Sequence, residues 1–296
     1  STNETIVFTG VSGRVQLTRN IANILLDLDG VETVDLAVLA GADIVTVNNL
    51  TGTDLTTVTT DLAATGGTDD GSVDEVRVPP STVVSRSGGA ATASGAGLGS
   101  LVRVVNGSAT DRLVVVGTAG TDQVQVAGTP SPDAVGIALS GADLAVSGVA
   151  ASRGLILTSL EQISVDLGGG NDQFATTGSL GVAVTLNVAG GSGRDTLIGS
   201  TGADVLDGGP GADVIDGNQQ NDTVLGGADD DVVVWDPGDG NDTIDGGLGT
   251  DQLSFNGSNT AEIIEVSRLS THVRATRNIA NIVPDLAGTE DAQLNL

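Results

Sequence analysis

Aliphatic residues recur along this chain in short alternating runs bounded by Gly, Asn, Asp and Thr. DIVTVNN (43–49), DRLVVVG (111–117), DQVQVAG (122–128) and VAVTLNV (182–188) show the pattern. Alternation with period two, between turn-forming residues, predicts half-buried strands. Many runs open with Asp-x-aliphatic. Residues 54–65, DLTTVTTDLAAT, are the one helical candidate, and their Thr and Val content weakens it. Pro79-Pro80 predicts a break, and the Gly-, Ser- and Ala-rich stretch 85–100 a linker.

From Gly190 the spacing tightens to a strict period. The chain reads GGSGRDTLI, GSTGADVLD, GGPGADVID, GNQQNDTVL and GGADDDVVV, then Trp235-Asp236, then PGDGNDTID and GGLGTDQLS. The sixth position is always Asp: Asp195, Asp204, Asp213, Asp222, Asp231, Asp242 and Asp251. The eighth is always aliphatic: Leu197, Leu206, Ile215, Val224, Val233, Ile244 and Leu253. GTAGTDQVQ (117–125) and LGGGNDQFA (167–175) are near matches standing alone, and their Asp122 and Asp172 lack a partner 18 residues away, so both are read as turn formers. A longer repeat overlies this one. TRNIANI followed by Asp-Leu occurs at 18–24 and again at 276–282, and residues 11–38 and 269–296 align without gaps at an offset of 258.

Composition narrows the class further. The formal net charge is −27, all 11 basic residues are Arg, and Cys, Met, Tyr and Lys are absent. A surface this acidic repels polyanions, which excludes nucleic-acid binding. Cys/His zinc sites, disulfides and Lys Schiff bases cannot be built. No apolar stretch is long enough for a membrane-spanning helix, so membrane insertion is not expected. Disorder is disfavoured because 39% of residues are hydrophobic, mainly Val, Leu, Ile and Ala, which suits thin β cores of stacked rows. With 1% aromatics, a repetitive fold without one large core is favoured. The Ser1 start, with neither Met nor a leader, is expected of a processed chain or an excised piece.

The pattern G-G-x-G-x-D-x-U-x over 190–254 resembles the RTX (repeats-in-toxin) haemolysin-type calcium-binding repeat. Long extracellular RTX-related proteins that alternate such blocks with Val/Thr-rich β segments look similar to the whole chain. The resemblance implies an all-β fold, an elongated parallel β-roll or β-solenoid with stacked calcium-binding turns. Each unit supplies a six-residue turn and a three-residue strand, and two units complete one coil. Leu197/Ile215/Val233 and Leu206/Val224/Ile244 then form two facing rows of the core. Three segments follow: a Val/Thr-rich solenoid-like region at 1–189, the calcium roll at 190–254, and a C-terminal segment 255–296 that repeats 1–38.

In the RTX geometry an ion sits between a turn and the turn two units on. Its ligands are carbonyls two and four and the Asp of the lower turn, with carbonyls one and three and the Asp of the upper turn. Carried onto this chain, one site uses Gly191, Gly193, Asp195, Gly208, Pro210 and Asp213. A second uses Ser200, Gly202, Asp204, Gly217, Gln219 and Asp222. A third uses Gly209, Gly211, Asp213, Gly226, Ala228 and Asp231. Gln220 and Asp229 stand where the family has Gly, at a position of positive φ that Gln adopts with strain. The Trp235-Asp236 insertion is expected to bulge from one coil, with Trp235 as a flap, and to disturb the pairings Asp222/Asp242 and Asp231/Asp251. Residues 190–254 hold 14 Asp, no Glu and one Arg, so stacked carboxylates need a cation between them. Asx-turn chemistry alone explains one Asp per turn but not its fixed place in seven units.

No enzyme is expected: His272 is the only imidazole, aromatic platforms for sugar are lacking, and no small-molecule substrate is implied. A polysaccharide lyase on a β-helix is the enzymatic alternative. Arg14, Arg19, Arg274 and Arg277, in the duplicated segments, read either as contacts to a neighbouring copy or as local ion pairs. The expectation is a calcium-stabilised structural protein, extracellular or at the cell surface. Its partners would be copies of itself, joined head-to-tail into a fibre, sheath or matrix. The alternative is an excised repeat module of a larger RTX adhesin, toxin or hydrolase that serves calcium-driven folding and export.

Overall fold

The computed structural model describes residues 3–38, 41–62, 74–79, 82–87, 90–94, 101–105, 112–116, 123–140, 143–148, 154–180, 184–258, 264–269, 272–277, 285–287 and 289–295. Among these, one short 3-10 turn, Ile21–Asn23, is the only helical element, and nearly everything else is strand. The fold is all-β, and parallel pairing dominates. The helical candidate at 54–65 is overturned: Thr57–Asp61 is a strand with Val58 buried. Its β-branched residues pack on a pleated face better than they tolerate a helix. Of the predicted linker 85–100, residues 85–87 and 90–94 belong to the paired strands Thr82–Ser87 and Ala90–Ser94, and the remainder lies outside the described residues.

Two compact units divide the chain. The first comprises Ser1–Ala127 and Ser140–Glu161. One of its sheets runs Gly154–Thr158, Arg112–Val116, Glu75–Val78, Ile44–Val47 and Thr5–Val11, each parallel to the next. Two antiparallel strands, Arg14–Arg19 and Ile24–Leu28, extend it. In the facing sheet Thr33–Ala37, Thr57–Asp61 and Leu101–Val105 are parallel. Phe8, Val45, Val47, Val58, Val76 and Val78 fill the interior, all at most 2% exposed.

The second unit comprises Gly128–Leu139 and Gln162–Leu296 and contains the nonapeptide block. Gln173–Thr177, Thr196–Ile198, Val214–Asp216, Val232–Trp235 and Asp251–Asn256 stack in parallel on one side. Gln162–Gly168, Thr185–Ala189, Val205–Pro210, Thr223–Ala228 and Thr243–Leu248 stack on the other. The two predicted rows form as expected, because Leu197, Ile215 and Val233 are register partners, as are Leu206, Val224 and Ile244. All six are at most 3% exposed. The short strands need no large side chains, because each coil lies on the next at about 4.8 Å and a single aliphatic fills the gap.

The Trp235-Asp236 insertion is accommodated differently from the expected flap. Trp235 ends its strand with 0% exposure and stacks on Phe255, with ring centroids 4.2 Å apart and planes 7° apart. Its indole Nε1 donates to Gly240 O at 3.3 Å. A tight turn, with Asp239 N donating to Asp236 O at 3.1 Å, takes up the extra length. Alignment resumes beyond it, so Val224 still pairs with Ile244 and Val233 with Leu253.

Candidate metal centre

The nonapeptide Asp residues lie on two ladders. On one, Asp195 N donates to Asp213 Oδ1 at 2.8 Å, Asp213 N to Asp231 Oδ1 at 2.8 Å, and Asp231 N to Asp251 Oδ1 at 3.0 Å. On the other, Asp204 N donates to Asp222 Oδ1 at 2.9 Å and Asp222 N to Asp242 Oδ1 at 2.9 Å. The carboxylates of Asp213, Asp231, Asp251, Asp222 and Asp242 thus each spend one oxygen on the coil beneath. The ladder holds across the insertion, where the spacing becomes 20 residues, so neither Asp222/Asp242 nor Asp231/Asp251 is displaced.

The second oxygen is the informative one. Oδ2 of Asp195, Asp213, Asp222 and Asp231 is buried and accepts no hydrogen bond. These residues are at most 2% exposed. A buried carboxylate oxygen with no donor is costly, so its surroundings indicate what is meant to satisfy it. Glycine opens the way. A Cβ on Gly190 would fall 2.6 Å from Asp195 Oδ2 and 2.7 Å from Gly208 O. The same space beside Gly226 is bounded by Asp231 Oδ2 at 2.6 Å and by Gly246 O. Carboxylate and carbonyl oxygens therefore converge on a cradle that any larger residue would fill. Gly191, Gly193, Gly209 and Gly211 keep the turns in register with φ of 97°, 134°, 95° and 140°, a region that L side chains enter with strain. Gln220 and Asp229 adopt the same region, each at φ 79°, so the turn geometry overrides residue preference at both positions.

Electrostatics follows from the burial. Desolvation pushes Asp213 up to about 7 and Asp222 up to about 8, and neighbouring carboxylates add to both shifts. The same burial raises Asp231 and Asp242 to about 6, and raises Asp195 and Asp204 as well. Among the described residues no three His, Asp or Glu side chains are grouped to hold a metal by themselves. An ion here must draw on pairs of Asp together with backbone carbonyls, a hard all-oxygen donor set that suits calcium.

The predicted residues do not all come together equally. The turns carrying Gly191, Gly193, Gly208, Pro210, Gly209, Gly211, Gly226 and Ala228 stack directly: Gly193 N donates to Pro210 O and Gly211 N to Ala228 O, both at 2.9 Å. Gly191 N donates to Gly208 O at 3.1 Å, which leaves that carbonyl its second lone pair. The turn at Ser200, Gly202 and Asp204 closes on itself. Ser200 N and Oγ both donate to the Asp204 carboxylate, at 2.5 and 3.1 Å, and Gly202 N donates to Ser200 Oγ at 3.0 Å. Neither Ser200 nor Gly202 has positive φ, unlike Asn218 and Gln220, which flank Gln219 in the Gly217 turn above. Arg14 makes local ion pairs with Asp27 at 3.0 Å and Asp29 at 2.8 Å, and Arg19 pairs with Glu4. The side chains of His272, Arg274 and Arg277, and Asp122 entirely, lie outside the described residues.

One residue outside period 18, read from the sequence as a turn former, joins the ladder. Asp172 N donates to Asp195 Oδ1 at 2.8 Å, so Asp172 extends the first ladder with a spacing of 23. The signal present in the sequence was the glycine triplet 168–170 before Asn171-Asp172; the variable loop length hid it.

The family model for the RTX calcium-binding nonapeptide repeat (four copies) matches residues 189–224, 209–234 and 238–259. Residues 189–259 are an RTX calcium-binding repeat block. No curated protein matches the chain. RTX repeats form a parallel β-roll and are calcium-binding motifs, so calcium is the cofactor of this block. The donorless Asp oxygens and the glycine-lined cradles fit that ion. Such repeats are typical of secreted, extracellular, calcium-dependent proteins.

Proposed function

We propose that the chain is a secreted structural protein whose RTX block folds around calcium and whose copies join head-to-tail into an extracellular fibre, sheath or matrix. Calcium is held between Gly191, Gly193 and Asp195 below and Gly208, Pro210 and Asp213 above. A second ion lies between Gly209, Gly211 and Asp213 and Gly226, Ala228 and Asp231. The last rungs, to Asp242 and Asp251, continue the two stacks. The site of Ser200, Gly202, Asp204, Gly217, Gln219 and Asp222 is weaker, because Ser200 already holds the Asp204 carboxylate. The chain is not catalytic in this reading; the ions hold layers together. Millimolar calcium outside cells favours the folded state, and a low-calcium cytoplasm leaves the block unfolded and exportable.

The observation that carries the assembly half is the duplicated segment. In the first copy Thr5–Val11, Arg14–Arg19 and Ile24–Leu28 form an antiparallel meander, followed by Thr33–Ala37. In the second, Ile264–Leu269, His272–Arg277 and Asp285–Ala287 form the same meander, followed by Thr289–Asn295. The first copy pairs with the coils that follow it, through Ile44–Val47 and Thr57–Asp61. The second pairs with the coils that precede it, through Thr243–Leu248 and Asp251–Asn256. Laid over one another, the two describe one joint with a coil on each side, which supports a head-to-tail repeat of 258 residues. Leu25 and Leu26, 60% and 47% exposed on Ile24–Leu28, are apolar surface such a joint would cover.

The same joint serves a second reading, in which successive periods belong to one longer adhesin, toxin or hydrolase and the block is its folding and export module. Negative-stain images of the purified chain separate the two. Filaments in millimolar calcium that disperse on chelation are expected; monodisperse particles at all protein concentrations would remove self-assembly and leave the tandem reading.

A further inference from the structure

The geometry points to an additional calcium site at the head of the RTX block, between the turn 167–172, which precedes the residues that the family model matches, and the turn 190–195, which opens them. It rests on the calcium reading of the block and extends it to residues that the nine-residue period does not reach. The ligands are the carbonyls of Gly168 and Gly170 with the Asp172 carboxylate below, and the carbonyls of Gly190 and Ser192 with the Asp195 carboxylate above.

Four observations align the two turns with those higher in the stack. Gly168 and Gly170 have φ of 91° and 127°, matching Gly191 at 97° and Gly193 at 134°. Gly170 N donates to Ser192 O at 2.8 Å, as Gly193 N does to Pro210 O at 2.9 Å. Asp172 N donates to Asp195 Oδ1, and Thr196 N to Asp172 O at 2.9 Å, repeating the bonds from Asp195 N to Asp213 Oδ1 and from Val214 N to Asp195 O. A Cβ on Gly191 or Gly193 would strike Gly168 O or Gly170 O, just as one on Gly209 or Gly211 would strike Gly191 O or Gly193 O. The decisive feature is the carboxylate. Asp172 is 1% exposed, and its Oδ2 has no hydrogen-bond partner, like Asp195 Oδ2 one coil on. Plain turn chemistry accounts for Oδ1, which accepts from Asp133 N at 2.7 Å, but leaves Oδ2 stranded.

The stack also shows where it stops. One coil lower, the Asp133 carboxylate is occupied by its own turn: Thr129 N and Thr129 Oγ1 donate to Asp133 Oδ2 at 2.6 and 3.0 Å. The oxygen corresponding to Asp172 Oδ2 is taken there, so the series of donorless oxygens begins with Asp172. The departure from the repeat is Leu167 in place of the opening glycine, with 0% exposure. The 23-residue step is absorbed between Gln173–Thr177 and Thr185–Ala189, away from the ligands.

Calcium stoichiometry of the full chain, by equilibrium dialysis with calcium alone, tests this. Asp172→Asn keeps the acceptor for Asp133 N but removes the charge, and is expected to bind one ion fewer than wild type. Asp133→Asn is expected to leave the count unchanged. An equal, non-zero count in wild type and Asp172→Asn overturns this site and leaves the block's other sites standing. A wild-type chain that binds no calcium overturns the underlying reading instead. Crystals of the wild-type chain in calcium give a readout independent of any variant: an anomalous peak between Asp172 and Asp195 is expected, and its absence beside peaks higher in the stack refutes the site.

Discussion

The first unit and the RTX block solve the same stacking problem with different turns. Both run parallel coils over rows of buried Val, Leu and Ile, and both use an Asp at the start of a strand to hold the next layer. In the first unit Glu4 N donates to Asp43 Oδ1 at 2.6 Å, and Asp43 N to Asp74 Oδ1 at 2.8 Å. There the rung spacing is 39 and then 31 residues, and the connections include whole hairpins such as Thr82–Ser87 with Ala90–Ser94. In the RTX block the spacing is 18, or 20 across the insertion, the turns are glycine-rich, and consecutive backbones approach closely enough for their carbonyls to face one cradle. A ladder of Asp is therefore compatible with an ordinary β core. What the short turn adds is a glycine-lined space beside donorless oxygens such as Asp195 Oδ2 and Asp231 Oδ2, the feature that folding coupled to calcium would use.

Chelation should pull this comparison apart most strongly. Hydrogen exchange followed by peptide mass spectrometry is expected to show amides of 196–254 losing nearly all protection without calcium, while those of Ile44–Val47 and Glu75–Val78 keep theirs. Equal loss in both regions would mean that calcium supports the chain as a whole. Unchanged protection in 196–254 would remove calcium from the folding of the block.

Glycine substitutions sharpen the same contrast at single positions. Gly226→Ala places a methyl 2.6 Å from Asp231 Oδ2 and against Gly246 O, inside the cradle. It should abolish one ion and cost more than about 2 kcal/mol in calcium, comparable to other losses of a metal contact. Gly52→Ala in the first unit meets nothing within 4 Å and carries only the strain of φ 83°. About 1 kcal/mol is expected there, with no change in calcium uptake. Thermal melts with and without calcium measure both, and equal calcium dependence of the two variants would argue against the cradle.

How much of this could be read from the sequence depended on regularity. The nonapeptide block was legible down to core rows and ladder partners, because a fixed period turns sequence spacing into spatial register. Trp235 was misplaced because an insertion of two residues has no period: packing on Phe255, 20 residues on, decided its direction. Asp172 was read as a turn former for the same reason, since loop length between coils varies while the stacking of the turns does not. The strand at 57–61 went unrecognised because its Thr-rich run lacks the flanking glycines that mark the other strands. In the first unit, alternation located the strands at 43–49, 111–117 and 122–128 but could not order them, since parallel neighbours lie tens of residues apart with no repeat to count.

Protons offer the mildest test of why the block needs a cation. In the calcium-free fold, burial raises Asp213 to about 7, Asp222 to about 8, and Asp231 and Asp242 to about 6, whereas an unfolded chain holds Asp near about 3.9. Between those limits the folded block binds more protons than the unfolded chain, so its stability falls as pH rises. The contribution is complete below pH about 4 and is lost through the range about 6 to 8. Calcium-free protein should therefore regain part of its far-UV β signal on acidification from pH 8 to 5, as protons partly replace the ions between layers. A calcium-free β signal that is flat, or that declines, between pH 8 and 5 would show that carboxylate repulsion is not what keeps the bare block unfolded, and the sequence-level argument for a bridging cation would lose its electrostatic basis.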